Sequence, residues 1–202
     1  MPNEAEDRTR RADAQRNRAA IVDAAVSCLA ANPRASMAEI AQAAGIGRVT
    51  LYGHFSSRPE LIRAVLAETM GHVEGHLAPL QLDGEPGAAL NLLVTSSWRI
   101  IDRFHGLLEA AEQELGTEVI RGHHDQVMLR VRRLIERGQT EGAFRSDLPA
   151  DWLASCFFAI LHGGAAEIRA GRLSETRAEA VIPATIQALV AVPAAQRHSS
   201  SA

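Results

Sequence analysis

Arg48, Val49, Thr50, Tyr52, His54 and Arg58 crowd one short stretch of the chain, SMAEIAQAAGIGRVTLYGHFSSRPEL, from Ser36 to Leu61. These are residue types that touch nucleic acid. A guanidinium pairs with a guanine edge or a phosphate, a valine methyl packs on thymine, and hydroxyl and imidazole groups hold phosphate oxygens. The elements that would position them are written in the same stretch. Ser36-x-x-Glu39 and Ser57-x-x-Glu60 have capping-box spacing, in which a serine and a glutamate each satisfy an orphan backbone donor at a helix start. Between them Met37, Ile40, Ala41 and Ala44 recur at helical spacing and can bury one face. Gly45 falls where a helix must stop and the chain turn, a place that favours positive φ. Ile46, Leu51 and Phe55 then point inward, leaving Arg48, Thr50, Tyr52 and His54 for another partner. This is the layout of a helix-turn-helix, whose second helix enters the DNA major groove.

The stretch resembles the DNA-binding signature of the TetR family of bacterial transcriptional regulators. The resemblance rests on Gly45, Ile46, Thr50, Leu51, Tyr52, His54, Phe55, Ser57, Glu60 and Leu61. Two capped helices and a glycine occur in many helical proteins; the Thr-Leu-Tyr-x-His-Phe run in register is the specific part. The departures have physical consequences. Gly47 replaces the usual serine cap and is a weaker one. Gly53 stands where the family carries a side chain that reaches DNA, at a helix cost of roughly 0.5–1 kcal/mol relative to alanine. Arg58 replaces a lysine and keeps its charge, and Pro59 sits in a first helical turn, where its missing N–H is harmless. Carried over residue by residue, the resemblance implies that Arg48, Val49 and Thr50 read bases. It implies phosphate contacts from Met37 through its backbone, Tyr52, His54 and Arg58, and the hydroxyl of Thr50 suits either role. It further implies a homodimer on a double-stranded DNA operator, pseudo-palindromic, with half-sites about one helical turn apart or a little more.

The charge distribution agrees with a DNA partner. The 202 residues carry a net charge of −3, and all 21 basic residues are arginine. Residues 8–58 hold eight arginines against Asp13, Asp23 and Glu39, whereas residues 59–202 hold an excess of acids. Positive charge therefore gathers around the motif, as phosphate binding requires. Arg8, Arg10, Arg11, Arg16 and Arg18 read as a basic arm entering the first helix. The N-terminus is charged and has no apolar core segment, so a secretory signal is not expected. The longest uncharged run, Trp152 to Ala166, is short for a bilayer, so no membrane partner and a cytoplasmic location are expected. Cys28 and Cys156 stand in separate apolar patterns and read as buried free thiols.

Few aromatics and abundant alanine and leucine favour an all-α fold. The expected architecture is an N-terminal three-helix DNA-binding head followed by a C-terminal helical ligand-binding and dimerisation domain. Helices are expected at 12–31, across the motif, and at 58–75, 88–104, 105–115, 117–139, 149–170 and 174–190. Pro79 to Gly87, with two prolines and two glycines, is the clearest loop. The expected division is 1–78 for the DNA-binding part with its arm and linking helix, 79–192 for the second domain, and 193–202 as a disordered tail. Pro183 is expected to kink the last helix or reset its start.

Function in the C-terminal part is less legible. Asn91, Thr95, Trp98 and Asp102 recur along one side of an otherwise apolar helix. An apolar pocket with a few polar groups would give them partners; bonds to neighbouring helices or exposure at helix ends would do so equally. The resemblance favours the pocket, implying a small, lipophilic inducer, with Phe157 and His162 facing the same interior. The uncharged middle of the 149–170 helix needs cover on all sides. In the family the last two long helices pair with their twins. Cys156, Ala159, Ile160, Gly163 and Glu167, with Ile182, Ile186 and Leu189, are the expected dimer residues. A C-terminal domain that only dimerises or docks a protein, without a small ligand, stays open at this point.

No catalytic, cofactor or metal site is expected. His123 and His124 are adjacent, and neighbours on a helix diverge by about 100°. Cys156 and His162 fall on different helix faces, and no nucleophile elbow, phosphate loop or zinc spacing occurs.

Overall fold

The computed structural model describes residues 4–193, apart from the side chains of residues 4–7, 9–11, 117, 121 and 123. Within this range the chain is helical: α1 (Glu4–Ala31), α2 (Met37–Ala43), α3 (Arg48–His54), α4 (Arg58–Leu77), α5 (Pro86–Leu115), α6 (Thr117–Thr140), α7 (Ala150–Arg169) and α8 (Glu175–Val190). No strand occurs among the described residues, and none of the helices is long and apolar enough to cross a membrane. The expected tail from 194 onward, and the arginine side chains at 10 and 11, lie outside the described residues.

Two boundaries differ from expectation. The basic arm is not a leader before α1 but part of it, since α1 begins at Glu4. The expected pair of helices at 88–104 and 105–115 is one helix, α5. Gly106 stands within it. A Cβ there would lie 2.5 Å from the Leu29 carbonyl oxygen and 2.6 Å from that of Ala30, so the glycine serves close approach to the end of α1 rather than a turn. At the far end Pro183 sits buried inside α8, which runs through it, held by Ala178, Ile182, Ile186 and Val190 on its covered face.

Two compact units interleave along the chain, one of residues 1–71 with 106–121, the other of 72–105 with 122–202. The core of the first contains Ile21, Val22, Ala25 and Leu29 of α1, Ile40 of α2, Leu51 of α3, and Leu61, Ile62 and Val65 of α4. Leu107, Ala110 and Ala111 of α5 and Ile120 of α6 complete it, so the motif rests on residues far downstream in sequence. In the second unit Leu90, Leu93, Val94 and Trp98 of α5 are buried, as are Val131 and Ile135 of α6, Phe157 and Leu161 of α7 and Ile186 of α8. Glu85 caps α5 by accepting from the backbone N–H groups of Gly87 (2.8 Å) and Ala88 (2.6 Å), with Pro86 at the first helical position. Arg137 of α6 gathers the carbonyls of Leu82 (2.6 Å) and Gly84 (2.8 Å) and fixes the loop before it.

Candidate nucleic-acid interface

The first helix of the motif is fixed at both ends. At its start the Ser36 hydroxyl accepts from the Glu39 N–H (3.3 Å), while the Glu39 carboxylate accepts from the Ser36 N–H (2.7 Å) and hydroxyl (2.7 Å). These bonds hold the Glu39 carboxyl below its ordinary pKa. At its end Gly45, at φ +69°, donates to the Gln42 carbonyl (3.1 Å) and Ile46 donates to that of Ala41 (3.0 Å). That pair of bonds is a Schellman turn, which demands a left-handed residue where Gly45 stands. The chain leaves the turn aimed into α3.

Helix α3 is anchored by two residues and open elsewhere. Leu51 is 0% and Phe55 1% exposed. Arg48, Thr50 and Gly53 are exposed, Val49 is 88% exposed and Tyr52 51%. His54 is half-buried at the last turn. A valine so bare on a helix backed by a full core has nothing among the described residues to pack against. The outward side thus holds a guanidinium, a methyl pair, a hydroxyl and a phenol in two turns. Gly47 caps the helix without a side-chain bond, and no atom lies within 4 Å of where a Cβ at Gly53 would stand. Met37 is buried in the core, so it offers only its backbone, in the first turn of α2. Arg18 of α1 lies over the Phe55 ring, 4.9 Å from its centroid.

Two sequence readings need correction. The second capping box is shared differently: Ser57 accepts from the Glu60 N–H (3.3 Å), but the Glu60 carboxylate accepts from Ser56, through its N–H (2.9 Å) and hydroxyl (2.6 Å). Arg58 is not a free phosphate contact. Its Nη2 donates to the Pro33 carbonyl (2.6 Å), its Nε to that of Ala35 (3.2 Å), and its Nη1 pairs with Glu114 of α5. The guanidinium satisfies the loop between α1 and α2, which has carbonyls to offer and no helix to bond them. Arg58→Ala is therefore expected to destabilise the unit by roughly 1–3 kcal/mol in denaturant titration. The salt dependence of DNA binding is expected to keep its slope, which loss of a phosphate contact would reduce by about 1.

The second unit places its candidate residues unevenly. Asn91 and Thr95 are exposed, with the Thr95 hydroxyl returned to its own helix at the Asn91 carbonyl (2.9 Å). Trp98, on the same side, is 4% exposed, and Asp102 is half-buried. The stripe is one face of α5, open near its start and covered farther on. Phe157 is core. His162 is half-buried, its ring 5.8 Å from that of His124 and 6.3 Å from that of Phe158. Burial, with the neighbouring imidazoles of His124 and His105, pushes its pKa down to about 4. Among the described residues no group of three or more histidine, cysteine, aspartate or glutamate side chains could hold a metal ion.

Of the expected dimer residues, Ala159 and Gly163 are exposed and Cys156, Ile160 and Leu189 half-buried. Ile182 and Ile186 are taken up inside the chain; a Cβ on Gly164 of α7 would lie 2.7 Å from Ile182 Cδ1. Glu167 is held by Arg172 at 2.6 Å through both oxygens. In the second half of α8 the exposed residues are Val181, Ala184, Thr185 and Ala188, none of them among the expected dimer residues.

Residues 21–65, the span that builds this surface, match the family described as bacterial regulatory proteins, tetR family. These residues form a TetR-family DNA-binding region. The chain is 27% identical over 186 residues to the HTH-type transcriptional repressor LfrR of Mycolicibacterium smegmatis, covering 89% of this chain and 93% of that one. The fold matches that of LfrR from Mycobacterium smegmatis in complex with proflavine, at TM-score 0.70 and 22% identity over 89% of this chain and 98% of that one. It also matches FadR from Bacillus subtilis in complex with stearoyl-CoA, at TM-score 0.70 and 18% identity over 85% and 96%. The chain is accordingly a DNA-binding transcriptional regulator and not an enzyme.

Proposed function

We propose that this regulator is a cytoplasmic, ligand-responsive repressor that binds a pseudo-palindromic operator as a homodimer. The observation that carries the reading is the outward side of α3, where Arg48, Val49, Thr50 and Tyr52 stand exposed over a buried Leu51 and Phe55. Arg48, Val49 and Thr50 read base edges; Tyr52, His54 and the Met37 backbone hold phosphates. DNA binding belongs to residues 1–78, ligand binding and dimerisation to 79–192.

One helix of two turns reads only a few base pairs, and a two-fold pair supplies the rest. The second unit offers a surface for pairing. Trp152, Ala159 and Gly163 on α7, with Val181, Ala184 and Ala188 on α8, face outward with little charge. Apolar helix faces of this kind mark association surfaces.

A ligand role is supported by the solved complexes of the two neighbours and by the half-buried polar groups beside Phe158. To release the operator, the compound must bind the non-DNA conformation better, and it acts only by that difference. The test is a compound screen by thermal stabilisation of the purified protein, followed by operator release with Asp102→Ala and Trp98→Ala. Altered release at unchanged operator affinity supports the reading. Equal loss of both would remove Asp102 and Trp98 from the ligand site, and a screen that stabilises nothing would argue against ligand control.

A further inference from the structure

The interior of the second unit holds polar atoms that its own chain leaves without partners. The Ser97 hydroxyl and the His105 Nδ1, both on α5, are sealed from solvent and have no hydrogen-bond partner among the described residues. Such groups are rare, because each pays the desolvation cost that a partner would offset. For His105 the missing partner can be specified. A guanidinium only donates, and Arg169 Nη2 lies 3.3 Å from His105 Nε2. Nε2 is therefore the accepting nitrogen, and the ring proton sits on Nδ1. The sealed atom is a donor in need of an acceptor.

Its surroundings restrict what can bring that acceptor. Phe158, His124 and His162 are half-buried with their rings about one another, so part of each ring is open to solvent. His162, kept neutral by burial and its imidazole neighbours, adds no charge. Burial, then Glu175, raises the Asp102 carboxyl, and Arg169 opposes the rise. An incoming carboxylate or phosphate would meet Asp102 and Glu175, and an incoming cation would meet Arg169. A carbonyl oxygen on an uncharged body brings the acceptor without either conflict.

We propose that His105 is a specificity-determining donor of this regulator, its Nδ1–H donating to the carbonyl oxygen of an uncharged, largely apolar molecule seated against Phe158 and His162. The proposal rests on the ligand-responsive reading and names the ligand class. It is tested with two probes of one skeleton, 9-fluorenone, which carries the oxygen, and fluorene, which does not. Dissociation constants are read from tryptophan fluorescence of the full chain without DNA. Fluorenone is expected to bind at least about tenfold more tightly than fluorene, the return for pairing a buried donor. His105→Leu is expected to abolish the preference by weakening fluorenone alone, and His105→Asn, which keeps an N–H near the Nδ1 position, to restore it. Equal binding of the two probes, no binding of either, or a preference that survives His105→Leu would overturn the assignment. Operator release separates this from the broader reading. If proflavine, a cation, releases the operator while fluorenone does not bind, the donor assignment fails and ligand response stands. If fluorenone binds through His105 and no compound releases the operator, the assignment stands and ligand response fails.

Discussion

Phe55→Ala is expected to destabilise the first unit by about 3–5 kcal/mol and to abolish sequence-specific DNA binding. Phe55 ends α3 in an extended conformation, its ring 1% exposed and covered by the Arg18 guanidinium. Leu51 within α3 and Phe55 at its cap are the fully buried anchors of the helix. Removing the ring leaves a cavity beneath a helix of two turns that has no side-chain cap. Isolated helices of that length do not persist in water, so the base-reading side chains would lose their common frame. Urea unfolding of the wild type and the variant, with operator binding at one temperature, checks this. A loss below about 1 kcal/mol would mean that α3 is held by something other than its buried pair.

The second large effect is acid lability centred on His162. Its folded pKa is about 4, below the ordinary 6.5. As pH falls through 6.5 the unfolded chain takes a proton that the folded chain refuses, so stability falls from 6.5 down to about 4 and this loss stops there. The interval corresponds to roughly 3 kcal/mol at most, a ceiling because the ring keeps part of its surface in water. His162→Phe is expected to remove this dependence, leaving a variant that loses less stability than the wild type between pH 7.5 and 4.5. Parallel slopes in the two proteins would show that His162 titrates normally.

What the sequence disclosed follows the range of the forces involved. The motif was legible because its determinants are local: the Ser36–Glu39 box, Gly45 at positive φ and the inward spacing of Leu51 and Phe55 all act within a few residues. Arg58 was misread because its partners, Pro33, Ala35 and Glu114, are distant in sequence, and an arginine beside a DNA-binding helix has the same letter in either role. The continuity of α5 was not legible, because the contact that uses Gly106 within it, the approach of Leu29 and Ala30, is distant in sequence. In the second unit periodicity picked out the faces and not what covers them. Asn91 and Trp98 share a side of α5, one exposed and the other buried. On α8 the expected Ile182 and Ile186 turned inward, because apolar residues on both sides of an amphipathic helix compete for the core and only the packing partner decides. The tautomer of His105 depends on Arg169, far downstream, and no spacing rule reveals it.

The central claim is that α3 reads DNA sequence through Arg48. Its most direct test is selection of bound sites from fragmented genomic DNA with the purified protein at near-physiological salt, repeated with Arg48→Ala. The account predicts an enriched inverted repeat for the wild type, and for the variant a loss of about 1–3 kcal/mol with relaxed preference at one position of each half-site. Binding that shows no sequence preference, or a loss in the variant that is uniform across all sequences, would contradict it.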